Sequence, residues 1–131
     1  MKKEIKISTD NYSKAVQKLV EGVEQVKDEL DRDGVIQRFE FTFELFWKTL
    51  KLIIEFEGFN CQSPRSCIKE AFRHNIIVND EIYLDMLESR NLSTHVYDEQ
   101  TSTQLFERIK KQYAEILAEA DGKFQKYVYD N

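Results

Sequence analysis

Proline occurs once and glycine four times in 131 residues, so the chain has little of the punctuation that hairpins and short strands require. That scarcity argues against a β-rich fold and leaves helices as the dominant element. No apolar run approaches the ~20 residues that cross a bilayer. The opening Met1-Lys2-Lys3-Glu4-Ile5 is not followed by the apolar core of a secretory signal. A cytoplasmic chain with no membrane association is expected. Positive charge is also short: 19 Lys and Arg against 24 Asp and Glu leave a net charge of −5. Unselective binding to nucleic acid is therefore disfavoured, because that affinity comes from Lys and Arg neutralising phosphates. Any RNA contact has to be local or built at an interface. Cys61 and Cys67 form no CxxC pair and have no His cluster beside them. They are expected to be reduced thiols near a helix start, and no metal or cofactor is expected.

What is present points one way. Charged residues make up 33% and hydrophobic residues 41%, and the length suits one domain over 1–131. Over 9–30, Tyr12, Val16, Leu19, Val23, Val26 and Leu30 recur at helical spacing, with Thr9 or Asp10 as the cap. A break is expected at 31–34. A second stripe, through Val35, Ile36, Phe39, Phe43, Phe46, Trp47, Leu50, Ile53 and Ile54, ends near Gly58. Ser63-Pro64 reads as a cap followed by proline in the first helical position, opening a short helix that ends near His74-Asn75. Asn79, Asp80 and Glu81 start a further helix that carries Arg90 at or near its end. The last helix begins at 98–101 and runs through Leu105, Ile109, Tyr113, Leu117 and Phe124. Short connections between such helices imply antiparallel neighbours. The expected fold is all-α, an up-and-down four-helix bundle with one extra short helix.

Chemistry concentrates in Arg90-Asn91-Leu92-Ser93-Thr94-His95-Val96-Tyr97. In a continuous helix, five steps of about 100° place Arg90 and His95 about 140° apart, so they converge only if the helix stops between them. Asn91, Ser93 and Thr94 compete for backbone hydrogen bonds and favour such an end. If the chain then becomes extended, Ser93, His95 and Tyr97 point to one side. A guanidinium clamps phosphate through paired hydrogen bonds, and a neutral imidazole removes a proton from a hydroxyl. The Arg90 charge biases His95 toward that neutral form. RNA cleavage needs those two acts and no covalent nucleophile, because the 2′-hydroxyl attacks its own phosphate. One imidazole handles one proton well, so a symmetric dimer with its motifs meeting at the two-fold would supply both a base and an acid.

A second segment, Arg38-Phe39-Glu40-Phe41-Thr42-Phe43-Glu44-Leu45-Phe46-Trp47-Lys48-Thr49-Leu50-Lys51, lies upstream. Its Phe39, Phe43, Phe46 stripe reads as core. Glu44 and Lys48 are spaced as a surface pair, and Arg38, Glu40 or Glu44 is placed to orient the Arg90 cluster. His74 reads as a helix-end residue without a role. Together, the two segments resemble the minimal HEPN family known as nucleotidyltransferase substrate-binding proteins or HepT-type toxins, over nearly the whole chain. The resemblance implies a dimeric bundle with a metal-independent endoribonuclease site in the dimer cleft, where Arg90 and His95 act and Asn91, Glu40 and Glu44 support them. It further implies a cognate minimal nucleotidyltransferase antitoxin that attaches AMP to Tyr97. The alternative it carries is a non-catalytic subunit of a two-component nucleotidyltransferase, with RNA or nucleotide held in the same cleft.

Overall fold

Amphipathic stripes become packed helices in the computed structural model, which describes residues 2–95 and 97–129, the side chain of His95 excepted. The helices are α1 (Lys2–Glu24), α2 (Glu29–Phe56), α3 (Pro64–Arg73), α4 (Glu81–Leu92), α5 (Glu99–Arg108) and α6 (Ala114–Tyr129). A 3₁₀ turn, Ser93–His95, follows α4, and a π turn, Ile109–Tyr113, joins α5 to α6 in one long helix. No strand occurs among the described residues. The four long units are α1, α2, α4 and the α5–α6 rod, with α3 as the short addition, so the all-α bundle expected from the sequence is the one observed.

Two boundaries differ from expectation, both for local reasons. The first helix starts at Lys2 rather than at Thr9, because Ile5 extends the buried stripe and Thr9 lies inside the core instead of capping it. The break falls at 25–28 rather than 31–34. There the Asp28 carboxylate accepts from the Asp31 N–H at 2.9 Å, while the Asp31 carboxylate accepts from the Lys27 N–H at 3.0 Å. This reciprocal cap starts α2 early enough to run through Gly34. It also leaves Leu30 exposed rather than on the α1 stripe.

Other ends follow the sequence closely. After α2, Gly58 has φ +93°, and the Phe59 and Gly58 N–H groups bond back to the Ile54 and Glu55 carbonyls. Glycine is suited to that left-handed position because it carries no Cβ. Ser63 and Pro64 open α3 as expected, and His74 caps its C-terminus, stacked on Phe59 with ring centroids 3.7 Å apart. The cysteines correct an expectation: Cys61 and Cys67 are joined in a disulfide. The first turn of α3 curls back on the loop and brings their Cα atoms to 5.0 Å, within bridging reach.

The core lies between α1, α2 and the α5–α6 rod and is aromatic. Phe39, Phe43 and Phe46 are fully buried, and Phe46 stacks on Tyr83 and Phe124. Tyr12 is buried too, and its hydroxyl donates to the Leu117 carbonyl at 2.6 Å, tying α1 to α6. Burying several such rings, each worth about 2–3 kcal/mol of transfer free energy, fixes α2 as the central helix. The flank of α2 pointing away from this core carries Glu40, Glu44 and Lys48, and α4 packs beside it.

Candidate functional site

The site is built where the end of α4 meets that flank. Arg90, in the last turn of α4, extends its guanidinium to Glu44, with Nη2 to Oε2 at 2.6 Å. Its Nη1 donates to Asn91 Oδ1 at 3.3 Å, and Lys48 approaches the other Glu44 oxygen at 3.6 Å. One turn below on α2, Glu40 accepts from the Ser93 hydroxyl at 2.8 Å. Ser93 shares its one proton between Glu40 and the Arg90 carbonyl, 2.5 Å away. The two glutamates four residues apart thus form a double latch, one holding the Arg90 side chain and the other the turn that follows. Burial alone would raise the Glu44 carboxyl. The Arg90 hydrogen bond, the facing Trp47 indole and the Arg90 and Lys48 charges outweigh it and hold the carboxyl below its usual range. The Trp47 Nε1–H itself has no partner at hydrogen-bonding distance among the described residues.

Of the residues singled out in the sequence, Arg90, Asn91, Glu40 and Glu44 come together, and Glu44 meets both Arg90 and Lys48. Arg38 goes elsewhere: its Nη1 donates to the Lys18 carbonyl at 2.6 Å, across the α1–α2 groove. The helix does end between Arg90 and His95, as convergence requires, but the continuation is a 3₁₀ turn and not extended chain. The backbone at Ser93–His95 is therefore not the extended form from which the alternation was expected. Ser93 is buried because Glu40 draws it inward, whereas Tyr97 stands 82% exposed. The His95 side chain, to which proton transfer was assigned, lies outside the described residues, as does Val96.

Some contributing groups were not singled out beforehand. Ser89 and Asp85 on α4, Tyr113 in the π turn and Arg108 on α5 form a polar chain immediately behind Arg90. The signal for the π turn lies in the spacing of Leu105, Ile109, Tyr113 and Leu117, all buried. Three successive steps of four drift about 120° around a plain α-helix, so an extra residue per turn is needed to keep all four inward. Beside the cluster, the outer stripe of α2 presents Phe41, 62% exposed, and Leu45. Together with Lys14, Lys18 and Arg38 they line an open groove of about 820 Å³.

Similarity to known proteins covers the bundle and this site. A protein of Thermus thermophilus solved by crystallography superposes with a TM-score of 0.75 at 29% identity, over 90% of this chain and 98% of that one. A curated relative, "Probable ribonuclease HepT" of Haemophilus influenzae (strain ATCC 51907 / DSM 11121 / KW20 / Rd), is 26% identical over 81 residues, 58% of this chain. The chain spans little more than half, 56%, of that relative's length. No helix among the described residues is long and apolar enough to cross a membrane. Residues 8–126 match the family described as nucleotidyltransferase substrate binding protein like, and the chain belongs to that family.

Proposed function

We propose that this protein is a metal-independent endoribonuclease of the HEPN type, working as a homodimer and silenced by a cognate minimal nucleotidyltransferase. The observation that carries the proposal is the latched Arg90: a guanidinium held at a helix end by Glu44, with Asn91 beside it, is an oriented phosphate clamp. Arg90 binds the phosphate to be cleaved. His95 takes the proton of the adjacent 2′-hydroxyl as its oxygen forms a bond to phosphorus. The bond from phosphorus to the 5′-oxygen breaks, and a second imidazole, from the other protomer, protonates that leaving oxygen. The products are a 2′,3′-cyclic phosphate and a 5′-hydroxyl.

The dimer forms through the outer stripe of α2. Phe41 and Leu45 lie one helical step from Glu40 and Glu44, so a two-fold contact there sets two Arg90 clusters side by side. The kinship with a probable ribonuclease supports the activity, and the family's description supports the enzymatic partner. Regulation falls on Tyr97, whose phenol is exposed two residues after His95. Its oxygen gives up its proton to solvent and bonds to the α-phosphorus of ATP, the bond from that phosphorus to the bridging oxygen breaks, pyrophosphate leaves, and the added AMP blocks the cleft with bulk and negative charge.

The test is cleavage of a single-stranded RNA by purified protein in excess chelator. Activity that persists there, scales with dimer and vanishes in His95→Ala is expected. Equal activity in His95→Ala would overturn the mechanism. The second reading, a non-catalytic subunit presenting nucleotide to its nucleotidyltransferase, draws support from the net charge of −5 and the family's description. Nucleotide binding without cleavage at high protein concentration would select it. Coexpression with the nucleotidyltransferase should add AMP to the intact mass, and Tyr97→Phe should prevent it.

A further inference from the structure

Tyr113 is a buried phenol with no part in the chemistry above, yet it makes more polar contacts than packing requires. Its ring stacks on Phe39, centroids 5.4 Å apart. Its hydroxyl donates to Asp85 Oδ2 at 2.5 Å and lies 2.8 Å from Ser89 Oγ, which in turn accepts from Arg108 Nη1 at 3.2 Å. Each hydroxyl has one proton, and the charged ends fix their direction. Arg108 can only donate and the Asp85 carboxylate accepts, so Arg108 donates to Ser89, Ser89 to Tyr113, and Tyr113 to Asp85. Burial and then the Asp85 bond push the Tyr113 phenol to about 12, which keeps it a donor at neutral pH.

The chain needs an unusual backbone. Arg108 and Tyr113 are five residues apart and would diverge by about 140° in a plain α-helix. In the π turn the Ala114 N–H bonds to the Ile109 carbonyl, an i→i−5 step that brings both toward α4. On α4, Asp85 and Ser89 are four residues apart and share the face toward this turn. Ser89, fully buried, immediately precedes Arg90. The rotation of α4 that sends Ser89 to Tyr113 is the rotation that sends Arg90 toward Glu44, on the next face round the helix.

We infer that Tyr113 is a positioning residue for Arg90, the π turn presenting its hydroxyl so that the Arg108–Ser89–Tyr113–Asp85 chain fixes how α4 aims the guanidinium. The importance of that aim rests on Arg90 acting as the phosphate clamp; the coupling itself does not. The chain holds α4 from behind, and Glu40 and Glu44 hold it from in front.

The test compares Tyr113→Phe with Tyr12→Phe, which deletes an equally buried tyrosine bond, made to the Leu117 carbonyl of α6 and not to the polar chain on α4. One readout is the ¹⁵N–¹H resonance of the Arg90 side chain, assigned by its disappearance in Arg90→Lys. The other is the split of KM from kcat on RNA. Tyr113→Phe should shift or broaden the Arg90 resonance and raise KM about five- to tenfold with kcat nearly unchanged, whereas Tyr12→Phe moves neither. Ser89→Ala, a smaller change in the same chain, should reproduce the resonance shift if Tyr113→Phe folds poorly. An Arg90 resonance unchanged in both chain variants, or moved equally by Tyr12→Phe, would overturn the inference. If the wild-type protein cleaves no RNA, the ribonuclease reading fails while the resonance still decides the coupling.

Discussion

One helix, α2, serves two ends on two flanks. Its inner stripe of Phe39, Phe43, Phe46, Leu50 and Ile53 is fully buried and shaped by packing. Its outer flank of Glu40, Glu44 and Lys48 is partly exposed and shaped by charge, with Glu44 bound to Arg90 across from α4. The two flanks interleave, so a core residue and a site residue are often neighbours in sequence, as Phe43 and Glu44 are. The contrast separates what holds the bundle from what the bundle holds: apolar burial adds up over many contacts, while the site depends on one or two oriented charges.

Emptying the inner stripe has the largest effect. Phe43→Ala should cost about 3–5 kcal/mol, the usual range for emptying a buried aromatic site, and denaturant unfolding would register it as a lower midpoint with a similar slope. On the other flank, Glu44→Gln should leave the fold nearly as stable but release Arg90, lowering kcat/KM on RNA about tenfold, equivalent to about 1.4 kcal/mol of transition-state binding.

The ionisation of Glu44 sharpens the same contrast. Its carboxyl titrates below its usual value of 4.5 in the folded protein, so its contribution to stability is fully present above that value and is lost as pH falls through the lowered one. Thermal melts should therefore show wild type ahead of Glu44→Gln near neutrality and the gap closing below about pH 4.5. The smallest effect belongs to Lys48→Ala. Its pairing with Glu44 is exposed, and a change under about 0.5 kcal/mol is expected from paired melts.

The two flanks also differ in how far the sequence reveals them. Apolar spacing states the inner stripe directly, because burial there follows residue type and period, and every member of it is core except Trp47, which is only half-buried. The Ser63-Pro64 start and the Gly58 and His74 ends were equally legible, since capping chemistry is local. The break between α1 and α2 falls at 25–28 and not at 31–34 because the Asp28–Asp31 cap starts α2 ahead of Gly34, a bond between side chain and backbone that residue type alone does not reveal. Glu40 and Glu44 were recognisable as candidates, but Arg38 was an equal one. Only the packing of α4 separates them, by setting Arg90 and Ser93 against the glutamates and leaving Arg38 to the Lys18 carbonyl. The bond between Cys61 and Cys67 escaped for a similar reason: their six-residue separation becomes a 5.0 Å approach only once α3 turns. The polar chain behind α4 was hidden because a tyrosine in an apolar stripe reads as a ring and not as a hydroxyl.

The central claim is that Arg90 is held for phosphate and not for the fold. Arg90→Ala, followed in parallel by RNA cleavage in chelator and by thermal unfolding, tests it most directly. Cleavage should fall about a hundredfold or more, as when one oriented donor to a developing negative charge is removed from an active site, while the melting temperature moves by only a few degrees. Unchanged cleavage, or a collapse of stability that accounts for the lost activity, would contradict it.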